Sequence, residues 1–430
     1  MQRAQVAAVV PGDASARSRG TTTARDRVLE ARGPLVATAV AVGLLPLLVP
    51  GGPGNTAPVD LFIAVAVVSV LLWASSGVEL RAPYAVAVAV LVSAGALGAL
   101  AGPVPLDGML ALAQDVWLLL WALAVANAAA SPHGLRLILR VWVVASVMWA
   151  AVDLIGVVTG NAALSGLAAN EGGRTLLTFG DPNYAANYFV VSLMIIWATQ
   201  RPRNRLTRIC AYGILVGAWV FTGSNSGIVS LLVAVTAAAV LGVRRRSGPL
   251  AMVSTLCIVV VLAAVALPHL SLRNIQRTAQ ASRYQVVRDW VGRSPSSIED
   301  RSLLLHESVG LFYQGGLLGE GPGSTKPRLV EGQASFVKEG HDDYMAALTE
   351  RGVLGVLGLL LLLGSVLVRT WTIATRPLRP AVQALVPRPN ALFGAVMGTL
   401  TSGTVYELLH VRHVWALFAL VAAMSLWGRE

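Results

Sequence analysis

Histidine exchanges protons near neutral pH, and arginine binds anions through a planar fork of donors. This chain places a few of each at the borders of long apolar runs. His341 opens the segment His341-Asp342-Asp343-Tyr344-Met345, which leads directly into such a run. At 100° per residue, Leu348, Gly352 and Gly355 fall within about 40° of His341 on one helical face. Small residues on that face predict close approach of a second helix, with His341 at the mouth of the packed seam. Arg174 follows Asn170-Glu171-Gly172-Gly173 and precedes Phe179-Gly180-Asp181-Pro182-Asn183-Tyr184. Glycines, a proline and asparagines build an irregular turn at a helix start there, with Asp181 or Asn183 as its cap. They also leave backbone beside Arg174 open to a ligand. A third basic group, Arg273, Arg277, Arg283, Arg288 and Arg293, lies in the early part of residues 269–341. Each alone reads as the solvated face of a surface helix; together they make a mouth that attracts anions.

Other polar residues have simpler explanations. His410 and His413, with Glu407 and Arg412, stand near the end of the chain. Their His-x-x-His spacing suits a metal, but no third ligand, His-Glu-x-x-His motif or cysteine pair accompanies it. Packing or substrate contact is the expectation for His413, and no metal or other cofactor is expected. Asp342-Asp343 could hold a divalent cation, yet acids at a helix start also favour the helix dipole, and that is the default. Thr222-Gly223-Ser224-Asn225-Ser226-Gly227 is accounted for as a tight turn. Cys210 and Cys257 both lie inside apolar runs, which excludes a disulfide framework and a cysteine metal site.

The elements that position these residues follow from composition. Of 430 residues, 55% are hydrophobic and 13% charged, about half the charge of a soluble domain. A bilayer core about 30 Å thick takes about 20 helical residues to cross. Runs of that kind occur at 35–50, 58–75, 83–101, 109–129, 136–158, 184–200, 207–222, 225–243, 249–268, 342–368, 388–409 and 411–428. The fold expected is therefore an all-α integral membrane protein of about twelve transmembrane helices. The net charge of +11 does not point to nucleic acid. Its arginines cluster at every second connection (Arg81; Arg136 and Arg140; Arg201 to Arg208; Arg244 to Arg246; Arg369 to Arg388), as the positive-inside bias requires. Both termini are then cytosolic. Residues 1–34 read as a disordered basic tail, residues 35–268 as spans one to nine, and residues 342–430 as spans ten to twelve. Residues 269–341 form a large, partly helical extracytoplasmic loop between spans nine and ten. Loops this long in a compact bundle are usually functional or disordered. Arg174, His341 and the loop all fall on the outer side.

On these residues the chain resembles the O-antigen ligase/polymerase superfamily of bacterial polysaccharide-assembly membrane proteins. His341, nine residues after Asp342, then Gly352 and Gly355 keep that family's ligase spacing, with Asp342 in place of its usual amide or hydroxyl. Arg174 with Phe179-Gly180-Asp181-Pro182-Asn183-Tyr184 matches a second motif. Arg301, a short helix and Gly319-Glu320-Gly321-Pro322-Gly323 match a third. The resemblance spans roughly residues 170–428, with the motifs in family order; the first five spans share only hydrophobicity. It implies transfer of a glycan from an undecaprenyl-diphosphate donor to a hydroxyl of a glycan, lipid or cell-wall acceptor, outside the cytoplasmic membrane. A diphosphate leaves as an anion and needs no general acid. The transition state needs positive charge on it and a base for the attacking hydroxyl. The resemblance thus implies His341 as general base and Arg174 and Arg301 as metal-independent diphosphate clamps. Asn183, Tyr184, Asp342, Tyr344, Arg288 and His413 are expected as substrate contacts, and a single direct displacement would invert the anomeric centre.

A lipid-linked oligosaccharide flippase or other multi-span transporter is the alternative. Carriers place ionisable groups at mid-bilayer on broken helices, whereas Asp153 is the one acid well inside a span. A polyprenyl-phosphate-sugar transferase generally carries acids in its first outer loop; residues 51–57 have none, and Asp60 stands alone.

Overall fold

The computed structural model describes residues 32–49, 51, 54–167, 173–269, 272–283, 288, 296–330 and 342–428. Nearly all of the expected tail 1–34 lies outside them, and so does His341. The described residues form α-helices and no strand, apart from an isolated bridge between Gly51 and Thr56. The first five long helices are α1 (Arg32–Gly43), α2 (Val59–Ser75), α3 (Ala85–Ala101), α4 (Pro105–Ala128) and α5 (Pro132–Thr159). After the short α6 (Ala162–Ser165) come α7 (Pro182–Thr199), α8 (Arg205–Phe221) and α9 (Asn225–His269). The region expected as the large loop holds α10 (Leu272–Gln280), α11 (Ser296–Gly315), a 3-10 turn (Gly316–Leu318) and α12 (Thr325–Val330). The chain closes with α13 (Asp343–Thr375), α14 (Pro380–Gln383), α15 (Asn390–Ser402) and α16 (Arg412–Trp427).

A helix underlies each of the twelve expected segments. Among the described residues α4, α5, α9 and α13 are long and apolar enough to cross a bilayer, and α2, α3 and α16 are apolar but shorter. Segments 225–243 and 249–268 share α9, whose ladder breaks at Gly248 (φ 88, ψ 177) beside the Arg244–Arg246 cluster. The outward faces are apolar: Leu61 and Leu72 on α2, Val158 on α5 and Leu262 on α9 are each more than 60% exposed. Side chains of that kind belong against lipid, not water. By contrast α7 is buried along almost its whole length, as is α16, so these two lie at the centre of a core to which most other helices contribute.

The helix ends follow local chemistry. Ser131 caps α5 with Pro132 at its first position, and Gly160 ends it in the left-handed region, as helix asymmetry prefers. Asp181, not Asn183, caps α7: its carboxylate accepts the Asn183 N–H at 2.7 Å. The first helix stops at Gly43, short of the expected residue 50, because Pro46 cannot continue it. The strip after it is used instead, with Val49 N–H donating to the Thr178 carbonyl at 2.7 Å.

The expected single face running from His341 through Gly352 and Gly355 is corrected by the structure. Gly352 has φ 61 and ψ −159, which breaks α13 and the phase of its faces. The break frees carbonyls that must find other donors. Glu320 N–H donates to Thr349 O and Gly321 N–H to Glu350 O, each at 2.9 Å. Close helix approach occurs one turn later, where a Cβ on Gly358 would stand 2.9 Å from the backbone of Leu91 in α3. The third helix receives the Gly319–Pro322 turn in the same way. A Cβ on Gly98 would meet Leu318 O at 3.0 Å and Gly321 N at 3.1 Å, and one on Gly102 would meet Glu320 O at 1.9 Å.

Asp60, isolated in sequence, is engaged with Arg412. Arg412 Nη2 lies 2.5 Å from Asp60 Oδ2 and its Nε 3.0 Å from Oδ1, while Trp117 and the Ala57 N–H also donate to the carboxylate. Arg412 is 1% exposed. Breaking such a pair leaves a buried charge uncompensated, at a cost of about 3–5 kcal/mol. Asp60→Asn is expected to lower the melting temperature of the purified protein clearly, and an unchanged melting curve would contradict this.

Candidate functional site

The connections at one end of the bundle are tied together, and Arg174, Asn183 and Tyr184 lie there. Residues 173–181 run irregularly between α6 and α7, and several of their backbone groups are held by neighbours. Thr175 N–H donates to Phe221 O, Leu176 and Leu177 N–H to Ser165 O, and the Thr178 hydroxyl to Pro46 O. Thr175 also donates from its hydroxyl to the buried carboxylate of Asp153 at 3.1 Å. Asp153 thus braces this loop.

Arg174 is 4% exposed. Its Nε donates to Thr222 O at 2.8 Å and its Nη2 to Asn183 Oδ1 at 3.3 Å. The same Asn183 oxygen accepts Ser224 Oγ at 2.6 Å and Ser226 Oγ at 3.4 Å, and the Asn183 amide donates to Asp181 at 2.7 Å. Ser224 in turn receives the Gly227 N–H at 3.0 Å, capping the start of α9. Gly223, at φ +56, lets the arginine stem pass; a Cβ there would sit 3.2 Å from Arg174 Cγ. These contacts fix the plane of the guanidinium. The turn 222–227 is therefore more than a turn: Ser224 and Ser226 orient the residue that orients Arg174. Sequence reasoning missed them, and the dense hydroxyl and amide content of Thr222–Ser226 was the available signal.

The other candidates divide. Tyr184 is buried, with its ring edge-on to His410 at 5.3 Å between centroids. Asp342 caps α13, accepting from Tyr344 N–H at 2.7 Å and Met345 N–H at 3.2 Å. Asp343 fastens the turn before α16, accepting the N–H groups of Leu408 and Leu409 at 3.0 and 3.1 Å. The two acids thus hold the helix start and the neighbouring turn. The Tyr344 hydroxyl donates to Leu400 O at 3.2 Å. Arg301 stands on α11, which packs against α13. Arg288 is exposed and donates to Ser282 O at 2.8 Å within its own loop. His413 is enclosed rather than facing a mouth. It is 1% exposed, its Nε2 lies 2.9 Å from Asn187 Oδ1, and the rings of Phe179 and Tyr188 meet it edge-on. Among the described residues no group of three or more metal-ligating side chains occurs.

Beside this assembly lies a cavity of about 520 Å³, bounded by α4, α12, α13 and the turn 403–411 and lined in part by His410, Asp343 and Arg351. Arg351 is paired across it with Asp115 at 2.5 Å.

A search of curated proteins finds no match to the chain. Residues 210–360 match the family model described as O-antigen ligase. That stretch runs from α8 through the first half of α13 and holds Ser224, Arg301, the Gly319–Gly323 turn, Gly352 and Gly355, with Arg174 and Asn183 just before it. Together with helices long and apolar enough to cross a membrane, this match over part of the chain makes it similar to the O-antigen ligase/polymerase superfamily.

Proposed function

We propose that this protein transfers a glycan from an undecaprenyl-diphosphate donor to an acceptor hydroxyl at the extracytoplasmic end of a bundle of about twelve spans. It acts as a polysaccharide polymerase or ligase in the cytoplasmic membrane. The acceptor oxygen attacks the anomeric carbon while the bond from that carbon to the diphosphate breaks. The bonding pair leaves with the diphosphate, and the hydroxyl proton passes to His341. Arg174 and Arg301 neutralise the charge that develops on the leaving group. One displacement inverts the anomeric centre and requires no metal.

The observation that carries this reading is the fastening of Glu320 and Gly321 to the freed carbonyls of Thr349 and Glu350. Through it, α11 and the first turns of α13 run into one junction and pack side by side. Arg301 thus stands on a helix joined to the one whose start follows His341 in sequence. Arg174 adds a fork held by Thr222 O and Asn183. The test is Arg174→Lys, which keeps the charge and removes the fork. Transfer from purified lipid-linked donor in proteoliposomes should fall about 10²-fold in kcat, with the protein still folded. Wild-type turnover in this variant would overturn the clamp, and flux of intact donor across the vesicle without transfer would favour a transporter.

A further inference from the structure

The cavity of about 520 Å³ is of the size that holds small ligands, and its charge is opposite to that of a diphosphate site. Five carboxylates line it, those of Asp107, Asp115, Asp343, Glu350 and Glu407, against the cations Lys326 and Arg351. Arg351 is engaged by Asp115 at 2.5 Å, so the wall offers a phosphate little welcome. It suits donors: sugar hydroxyls, which carboxylates accept strongly, and amines. Gln114 supplies an independent sign of a ligand. It is 8% exposed and lines the cavity, yet its one hydrogen bond, from Nε2 to His410 O, is 3.5 Å long. Its carboxamide oxygen has no hydrogen-bond partner among the described residues and is left open to the cavity.

Position agrees with charge. His410 lines the cavity and meets Tyr184, and the adjacent Asn183 holds Arg174, so the cavity adjoins the cationic cradle.

We propose that this cavity binds the acceptor glycan, as sugar rings bearing hydroxyl or amino groups and no phosphate or carboxylate. This rests on the transfer reaction proposed above for the direction of attack, but the binding itself is testable without it. Three soluble probes would be titrated calorimetrically into the purified full chain: a tetrasaccharide of N-acetylglucosamine, its de-acetylated amino form, and the neutral form phosphorylated at the primary hydroxyls. The neutral and amino probes should bind saturably, and the phosphorylated one at least about tenfold more weakly. Ala111→Trp, which fills the cavity, and the near-isosteric Asp107→Asn should each weaken the first two by about tenfold or more, with binding of undecaprenyl diphosphate unchanged. Binding of none of the probes, tighter binding of the phosphorylated one, or unaltered binding in a folded Asp107→Asn and Ala111→Trp pair would each overturn the proposal. If saccharide binding behaves as stated while the wild-type protein transfers no glycan, the cavity stands and the transfer reaction falls. If Ala111→Trp transfers with wild-type KM for the acceptor, the reverse holds.

Discussion

Replacing His341 with alanine is expected to lower glycan transfer by about 10²–10⁴-fold, the range that a positioned general base contributes, while leaving the fold and donor binding intact. The second half of that expectation comes from the helix start. Asp342 caps α13 through Tyr344 and Met345, and Asp343 holds the Leu408–Leu409 turn; neither depends on an imidazole at 341. Asp342→Ala provides the contrast, since loss of a cap costs about 1 kcal/mol and should lower thermal stability more than chemistry. Because a base must be neutral to accept a proton, the wild-type rate should fall as pH drops through the ordinary histidine range near 6.5, and the alanine variant should lose that limb. The measurement is single-turnover transfer from lipid-linked donor across pH. Undiminished turnover in His341→Ala would remove His341 from the reaction.

The second large effect is structural. Gly352→Ala is expected to destabilise the protein and to abolish transfer, through two additive causes. Its φ and ψ of 61 and −159 lie where only glycine is comfortable, a strain of about 1–3 kcal/mol for other residues. A Cβ there would also stand 2.0 Å from Leu317 O, so the 3-10 turn after α11 must leave its seat. Gly248 separates the two causes. It is equally strained at φ 88 and ψ 177, but a Cβ there meets nothing within 4 Å. Gly248→Ala should therefore show the conformational cost alone. Melting temperatures of the two variants, with limited proteolysis of residues 315–330, give the comparison. Equal losses in both would mean that the seat under Leu317 contributes nothing.

What could be read from the residues alone was whatever apolar length and local chemistry encode. A run such as 136–158 has no other soluble explanation, and Ser131-Pro132 and Asp181-Pro182 announce helix starts through a side-chain acceptor and a missing N–H. Arg174 and Asn183 were legible because glycine and proline surround them. Three things were not. Asp60 and Arg412 are 352 residues apart, and no spacing rule links them. Gly352 fits a helical seam as well as a break, since a glycine's sign of φ is invisible in its type. Ser224 looked sufficient as turn chemistry because a cap and an orienting contact use the same hydroxyl. Residues 284–287, 289–295 and 331–341, which hold Arg293 and His341, lie outside the described residues.

The glycines at 98 and 102 of α3, which seat the Gly319–Pro322 turn, have a further consequence for how such proteins can be recombined. They lie far outside the stretch 210–360 that carries the family likeness. A graft that exchanged only the likeness-bearing stretch would set a foreign turn onto a surface carved for this one, where clearances fall to 1.9 Å. The amino-terminal helices and the Gly319–Pro322 turn are thus a matched pair, and chimeras should fold and function only when both are inherited from the same parent.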